Sequence, residues 1–468
     1  MGKEKQKRAC KVKKSDKMIR SLVKEYETKC DFIDTRIYEI KKEVISIENN
    51  VTSNIYLDSK SFGVRVLVNG GWGMAYSNDF GNAREVFEKA LKMAKLSAGE
   101  KKEFKGAPPV TDSREYAYIT DPFLITPSEK LEMLKDYEKE LKKEKLIRNS
   151  RLILECSRVR KSVIAPGVDV NQEFTNNLFR AFVTAREGNV IQSVSKHYSR
   201  LGGYEVLDDL SPNSVAEELI GRVKRLLHAR APKAERSAVV CDPMMTGLFF
   251  HEAVGHACEA DSILNNASVF KGMLNKKVAS DEVNLVDDPT IKERGFYWYD
   301  DEGIRASPTP LITNGILTGF MHSLRTANEM GELPTGNGRV MNADYPPIPR
   351  MSNTVLKPGK WKVDDLIKEV RNGYLVKGFS GGVVDPITGQ FSFGASECFR
   401  IRNGEVGEPL RDVTLAGNIL EALRGIKVAD DATKTHLTGT CGKDGQGVRV
   451  GDYCPSILVR EVIVGGRS

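Results

Sequence analysis

Apolar and polar positions recur along this chain at two spacings, and their order outlines the architecture. Ile19, Leu22, Val23 and Tyr26 fall on one helical face, which predicts a first helix over 17–29. Strand-like stretches follow at about 32–40, 43–48 and 53–58. Val64, Val66 and Val68 then alternate up to Asn69-Gly70-Gly71, and Trp72, Met74 and Tyr76 continue the alternation. This is a hairpin, with Trp72 and Tyr76 expected in its core. A helix over 82–97, striped by Val86, Phe87, Ala90, Leu91 and Ala94, closes the unit, and 98–125 reads as a connector.

Thr126-Pro127-Ser128-Glu129 combines a capping box with proline at the first helical position, so a helix should run from there to about 146. Alternating strands follow over roughly 149–164, 169–182 and 189–198. Ser214 and Glu217 form a second capping-box pattern, opening a helix that ends near Ala229. Beyond about 233 the texture changes to Gly, Pro and short strands, with hairpin signals at Asn314-Gly315 and Asn403-Gly404. Only two helices, over 243–259 and 363–372, interrupt that region. Strands and helices are grouped rather than strictly alternating, which favours an α+β class with antiparallel sheets. Two domains are expected: 18–232 and a β-rich 233–468.

At 468 residues, 40% hydrophobic and 28% charged, the chain has the make-up of a globular protein of two or three domains. No apolar run approaches the roughly 18 residues of a membrane span. The basic start is not followed by an apolar stretch, as a secretory signal would be. A cytoplasmic location is therefore expected. The net charge of +7 changes the picture little, because residues 1–17 carry +6 of it on eight Lys/Arg against Glu4 and Asp16. A nearly neutral body behind a disordered basic arm, residues 1–17, argues against a dedicated nucleic-acid surface. Eight cysteines without a CxxC pair are expected to stay reduced.

The candidate chemistry concentrates at Asp242–Asp261. Asp242 can cap a helix that Pro243 opens, and two of the six histidines, His251 and His256, follow with Glu252 beside the first. Zinc hydrolases use imidazoles on one side of a metal and a carboxylate that can take a proton from water. In the familiar HExxH spacing both rings share a helical face. Here the spacing is one residue longer, and on an ideal α-helix the rings would point about 140° apart. Joint ligation requires a widened turn or an early helix end, which Gly255 makes feasible. The alternative is a histidine pair satisfied by hydrogen bonds. Glu259, Asp261, Cys258, His322, His436, Cys398, Cys441 and Cys454 are all candidates for a third ligand, and Cys441 stands out because it lies on a glycine-rich turn.

Five collinear motifs carry a resemblance. They are His251-Glu252-Ala253-Val254-Gly255-His256, Pro334-Thr335-Gly336-Asn337-Gly338-Arg339, Pro349-Arg350-Met351-Ser352-Asn353-Thr354, Gly381-Gly382-Val383-Val384-Asp385-Pro386-Ile387-Thr388-Gly389-Gln390-Phe391 and Cys441-Gly442-Lys443-Asp444-Gly445-Gln446. Together, over about residues 30–468, they resemble the TldD/PmbA family, and the first and last point to its TldD branch. The resemblance implies a zinc metalloprotease acting on unfolded or leader-type peptides. By it, His251, His256 and Cys441 ligate Zn2+ and Glu252 is the catalytic carboxylate. It further implies a heterodimer with a PmbA/TldE-type paralogue, a homo-oligomer being the alternative. Arg339, Arg350 and Asn353 are candidates for contacting substrate. Strands near the site would let an extended peptide bind by β-addition, reading main chain rather than side chains. The rival reading, a non-catalytic peptide-binding subunit, has no need for the intact Glu252.

Overall fold

The computed structural model describes residues 14–100, 103–436 and 439–466. Most of the expected basic arm lies outside them, but residues 14–17 do not belong to an arm. They open helix α1 (Lys14–Tyr26), and Asp16 is fully buried against Arg160, with Lys60 nearby.

The amino-terminal half is built on one twisted sheet. Its strands are β1 (Phe32–Glu48), β2 (Val51–Val68), β3 (Gly71–Ser77), β4 (Val110–Glu115), β5 (Ile147–Ala165), β6 (Val168–Glu187) and β7 (Val190–Leu201). They lie in the order β3-β2-β1-β5-β6-β4, with β7 also on β6, and every pairing is antiparallel except β4 on β6. The expected break after residue 48 is the Asn49-Asn50 turn, but those near residue 41 and between 58 and 64 are not there. β1 is hydrogen-bonded to β2 on one side and β5 on the other, so its backbone is satisfied straight through the polar Lys41-Lys42 step.

Four helices cover the sheet. α1 and α2 (Ala83–Leu96) pack over β1–β3, while α3 (Pro127–Leu141) and α4 (Pro212–His228) pack over β5–β7. Thr126 makes the expected capping box with Glu129. α4 begins at Pro212 rather than at Ser214, since the proline pre-sets the first turn. Val64 and Val66 of the hairpin are buried against α2 as expected, but the β3 arm faces opposite to expectation. Gly71, Gly73 and Ala75 are buried under α2, whereas Trp72 and Met74 are half-buried and Tyr76 is exposed on the other side. Backbone contact decides it: a Cβ on Gly73 would sit 2.1 Å from the Ala90 carbonyl oxygen.

The carboxyl-terminal half holds a seven-stranded and a six-stranded sheet. Antiparallel pairings dominate, and Gly373–Asp385 on Glu235–Cys241 and Asn353–Leu356 on Gly451–Cys454 add parallel ones. A short helix, α5 (Pro243–Phe249), sits between the two sheets, and its continuation over 250–258 contributes Phe250, Ala253, Val254 and Ala257 to the core. Buried ion pairs and hydrogen bonds tie the first sheet to residues 299–302: Arg65 with Glu302, Lys161 and Tyr38 with Asp301, and the Gln172 amide with the Tyr299 backbone.

Candidate metal centre

The centre is assembled by a helix that changes pitch. Asp242 accepts a hydrogen bond from the Met245 amide at 2.8 Å, fixing the start of α5 as the sequence suggests. The predicted single helix over 243–259 does not form. After Phe249 the chain takes a π turn, Phe250–Gly255, then a short 3-10 turn, His256–Cys258. In the π turn the His256 amide donates to the His251 carbonyl, so five residues close one turn. The two rings thereby share a face, with centroids 5.5 Å apart. Gly255 serves this by close packing rather than by unusual torsion: a Cβ there would lie 1.9 Å from Met351 Sδ.

Each ring is held from behind. Thr354 Oγ1 lies 3.1 Å from His251 Nδ1, and Glu259 Oε2 lies 3.0 Å from His256 Nδ1. These contacts use the Nδ1 atoms and leave Nε2 forward on both rings. Among the described residues, His251 Nε2 is buried without a hydrogen-bond partner. Cys441 arrives from a separate two-stranded ribbon, Thr440–Lys443 with Gln446–Arg449, and its Sγ lies 3.2 Å from His256 Nε2. One donor atom from each of His251, His256 and Cys441 falls within 4.8 Å of the others. Two imidazoles and a thiol around an unpartnered buried nitrogen are a donor set that suits zinc. Glu252 adjoins them, with Oε2 3.8 Å from His256 Nε2.

Electrostatics bind the group together. Burial alone would raise the Cys441 thiol, but the His251 and His256 rings outweigh it and bring the thiol down to about 5. Burial lowers His251, yet Cys441 and then Glu252 raise it to about 9. Burial likewise lowers His256, and Glu259 and Cys441 carry it well above its ordinary value. Glu259 is raised by burial and pulled down to about 2 by His256 and Lys443. Lys443 Nζ bridges Glu259, at 3.0 Å, to Asp261, at 2.7 Å.

The remaining sequence candidates lie elsewhere. Cys258, Cys398 and Cys454 are buried core residues. His322 hydrogen-bonds Thr326, and His436 bonds Glu293. Arg339, Arg350 and Asn353, expected at the substrate, are 6%, 0% and 0% exposed. They brace backbone instead. Arg350 donates to the Cys441 and Gln446 carbonyls and so holds the ribbon against the histidine helix; Arg339 donates to the Met351 and Arg449 carbonyls, and Asn353 to those of Asp288 and Ile291. Burial leaves them no surface for a peptide. Sequence reasoning missed Thr354 and Asp452. Asp452 packs on Gly247, one turn before His251, and among the described residues its buried Oδ1 has no partner; burial pushes its carboxyl up to about 6. Thr354 adjoins Asn353 in a quoted motif, but no spacing rule connects either residue to His251.

Comparison with known proteins places this arrangement. The model for the PmbA/TldA metallopeptidase C-terminal domain matches residues 234–466, and that for PmbA/TldA metallopeptidase domain 1 matches 33–94. A metalloprotease of Methanothermobacter thermautotrophicus is 35% identical over 447 residues, covering 95% of this chain and 98% of its own. The chain belongs to the PmbA/TldD metallopeptidase family. It is a metalloprotease. A Saccharolobus solfataricus protein named as a zinc metalloprotease TldD homolog is 35% identical over 61% of this chain and 63% of its own. The crystal structure of TldE from Thermococcus kodakarensis shares the fold, with a TM-score of 0.77 at 22% identity, covering 96% of this chain and all of that one. Among the described residues no helix is long and apolar enough to cross a membrane.

Proposed function

We propose that this metalloprotease is zinc-dependent and hydrolyses peptide bonds in unfolded or leader-type peptides. His251 and His256 through Nε2 and Cys441 through Sγ would hold the ion, with Glu252 as the catalytic carboxylate. The observation that carries the reading is the meeting of those three donor atoms within 4.8 Å, with the Glu252 carboxylate 3.8 Å from His256 Nε2. Zinc, when bound, supplies Lewis acidity toward water and the peptide carbonyl. The chain's own residues do the rest. Thr354 and Glu259 fix the ring orientations. The Glu252 carboxylate, about a third exposed, can take a proton from water and return it to the departing amine. A TldE-type partner chain is part of the proposal, supported by the shared fold with a TldE.

The deciding experiment measures zinc content and cleavage of an unfolded peptide for the wild type and Glu252→Gln. Zinc near one per chain in both, with cleavage lost by about 10³-fold or more only in the variant, is expected. Equal cleavage by the two proteins would remove Glu252 from the chemistry.

A further inference from the structure

The face of the β3 hairpin that turned away from α2 borders a cavity. Its volume is about 420 Å³, and it lies between Trp72, Met74 and Met93 on one side and Leu264 and the Pro346–Pro349 segment on the other. It adjoins the metal centre through a short relay. Asp261 in its wall bonds Lys443, Lys443 bonds Glu259, and Glu259 holds His256. Among the described residues, neither this cavity nor a larger cleft of about 500 Å³ between β6–β7 and the strand Gln390–Arg402 has His251, Glu252, His256 or Cys441 in its wall, and the relay is what connects the first to the centre.

What the cavity would accept follows from which of its polar groups are already engaged. Arg65 is paired with both Asp34 and Glu302, and its guanidinium lies over the Trp72 ring. Asp261 is paired with Lys443, and Arg325 with Glu329. Ser323 and Thr326 satisfy each other in a capping box. Among the described residues, Asp444 at the exposed rim is the wall charge without an ion pair. The surface left over for a ligand is chiefly that of Trp72, Met74, Met93, Leu264 and Ile348, which is apolar, with the exposed Asn265 also in the wall.

We infer that this cavity is a subsite for one bulky apolar side chain, of the phenylalanine or leucine class, on the substrate peptide. The inference rests on the peptidase reading for the identity of its ligand. Main-chain pairing would then set where the peptide lies, and this pocket would favour one register over the others. Burying such a side chain is expected to raise affinity by about tenfold or more.

The test uses the full chain carrying Glu252→Gln, so that bound peptide stays intact, and a Gly/Ser/Ala host peptide with a single Phe walked through its positions. One position is expected to bind about tenfold more tightly than the host. Met74→Glu should erase that gain. Met93→Glu, on an exposed part of α2, keeps the test valid if the first variant unfolds. No gain at any position, or a gain that survives a folded variant, would overturn the subsite. If zinc-loaded wild type cuts none of these peptides while the Phe gain persists, the peptidase reading fails and the subsite stands.

Discussion

At the scale of single residues, the centre depends on side chains that never touch the metal position. A carboxylate or hydroxyl behind an imidazole fixes its tautomer and aims the other nitrogen, and loss of such support costs metal affinity by about 10–100-fold. Glu259→Gln and Thr354→Val are therefore each expected to weaken zinc binding by that factor, read by competition with a chromophoric chelator. Glu259 has the harder task, because it is buried and shared between His256 and Lys443. Unchanged affinity in both variants would mean that packing alone orients the rings. His251 and Glu252 could be picked out of the sequence, since their residue types and adjacency carry the chemistry. Thr354 could not, as its partner lies 103 positions away.

At the scale of elements, two glycines are needed for closeness rather than flexibility. A methyl at Gly255 would meet Met351, which is itself 1% exposed and has no room to turn aside. Gly255→Ala should lose about 1–3 kcal/mol and loosen the π turn that aligns the histidines. At Gly73 the obstruction is the α2 backbone, at Ala90 and Ala94, which no rotamer change relieves. Gly73→Ala should cost about 3 kcal/mol or more and release α2 from the hairpin. Urea midpoints of the two variants, together with bound zinc, separate these effects: zinc should fall in the first and hold in the second. Hydropathy assigns the hairpin and the buried face of its β2 arm but inverts the β3 arm, because it weighs apolar size and is blind to how closely a helix must approach.

At the scale of the molecule, the two halves meet through buried charges. Asp301 is raised by burial but brought below its ordinary value overall by Lys161 and by hydrogen bonds from Tyr38 and the Val340 amide. Burial also pulls the Lys161 ammonium down, so their attraction does not fully offset its desolvation; the carboxylate gains more because it has additional donors. A carboxyl lowered on folding stabilises fully above its unfolded value near 3.9 and loses that contribution as the pH falls through the folded value. Acid below about pH 4 should therefore loosen this joint. Lys161→Met, which strands a buried carboxylate, should cost about 3–5 kcal/mol at neutral pH and less in acid, where the carboxyl left without its ammonium takes up a proton. Urea midpoints at pH 3 and pH 7 for both proteins measure the difference; a cost independent of pH would mean that Lys161 contributes packing only.

The α+β class, the capped starts of α3 and α5, and the residue types of the reactive cluster are legible in the order of residues alone. These are local matters, set by periodicity, by side chains that bond their own backbone and by the chemistry of His, Glu and Cys. The order of residues also posed the question of the five-residue histidine spacing and named a widened turn as one solution. Only the tertiary structure decided that the turn is a π turn wedged against Met351, that Cys441 meets the histidines across 185 positions, and that Arg339, Arg350 and Asn353 brace loops. Contacts between distant segments depend on which surfaces come within a few ångströms after folding, and one-dimensional spacing does not contain that distance.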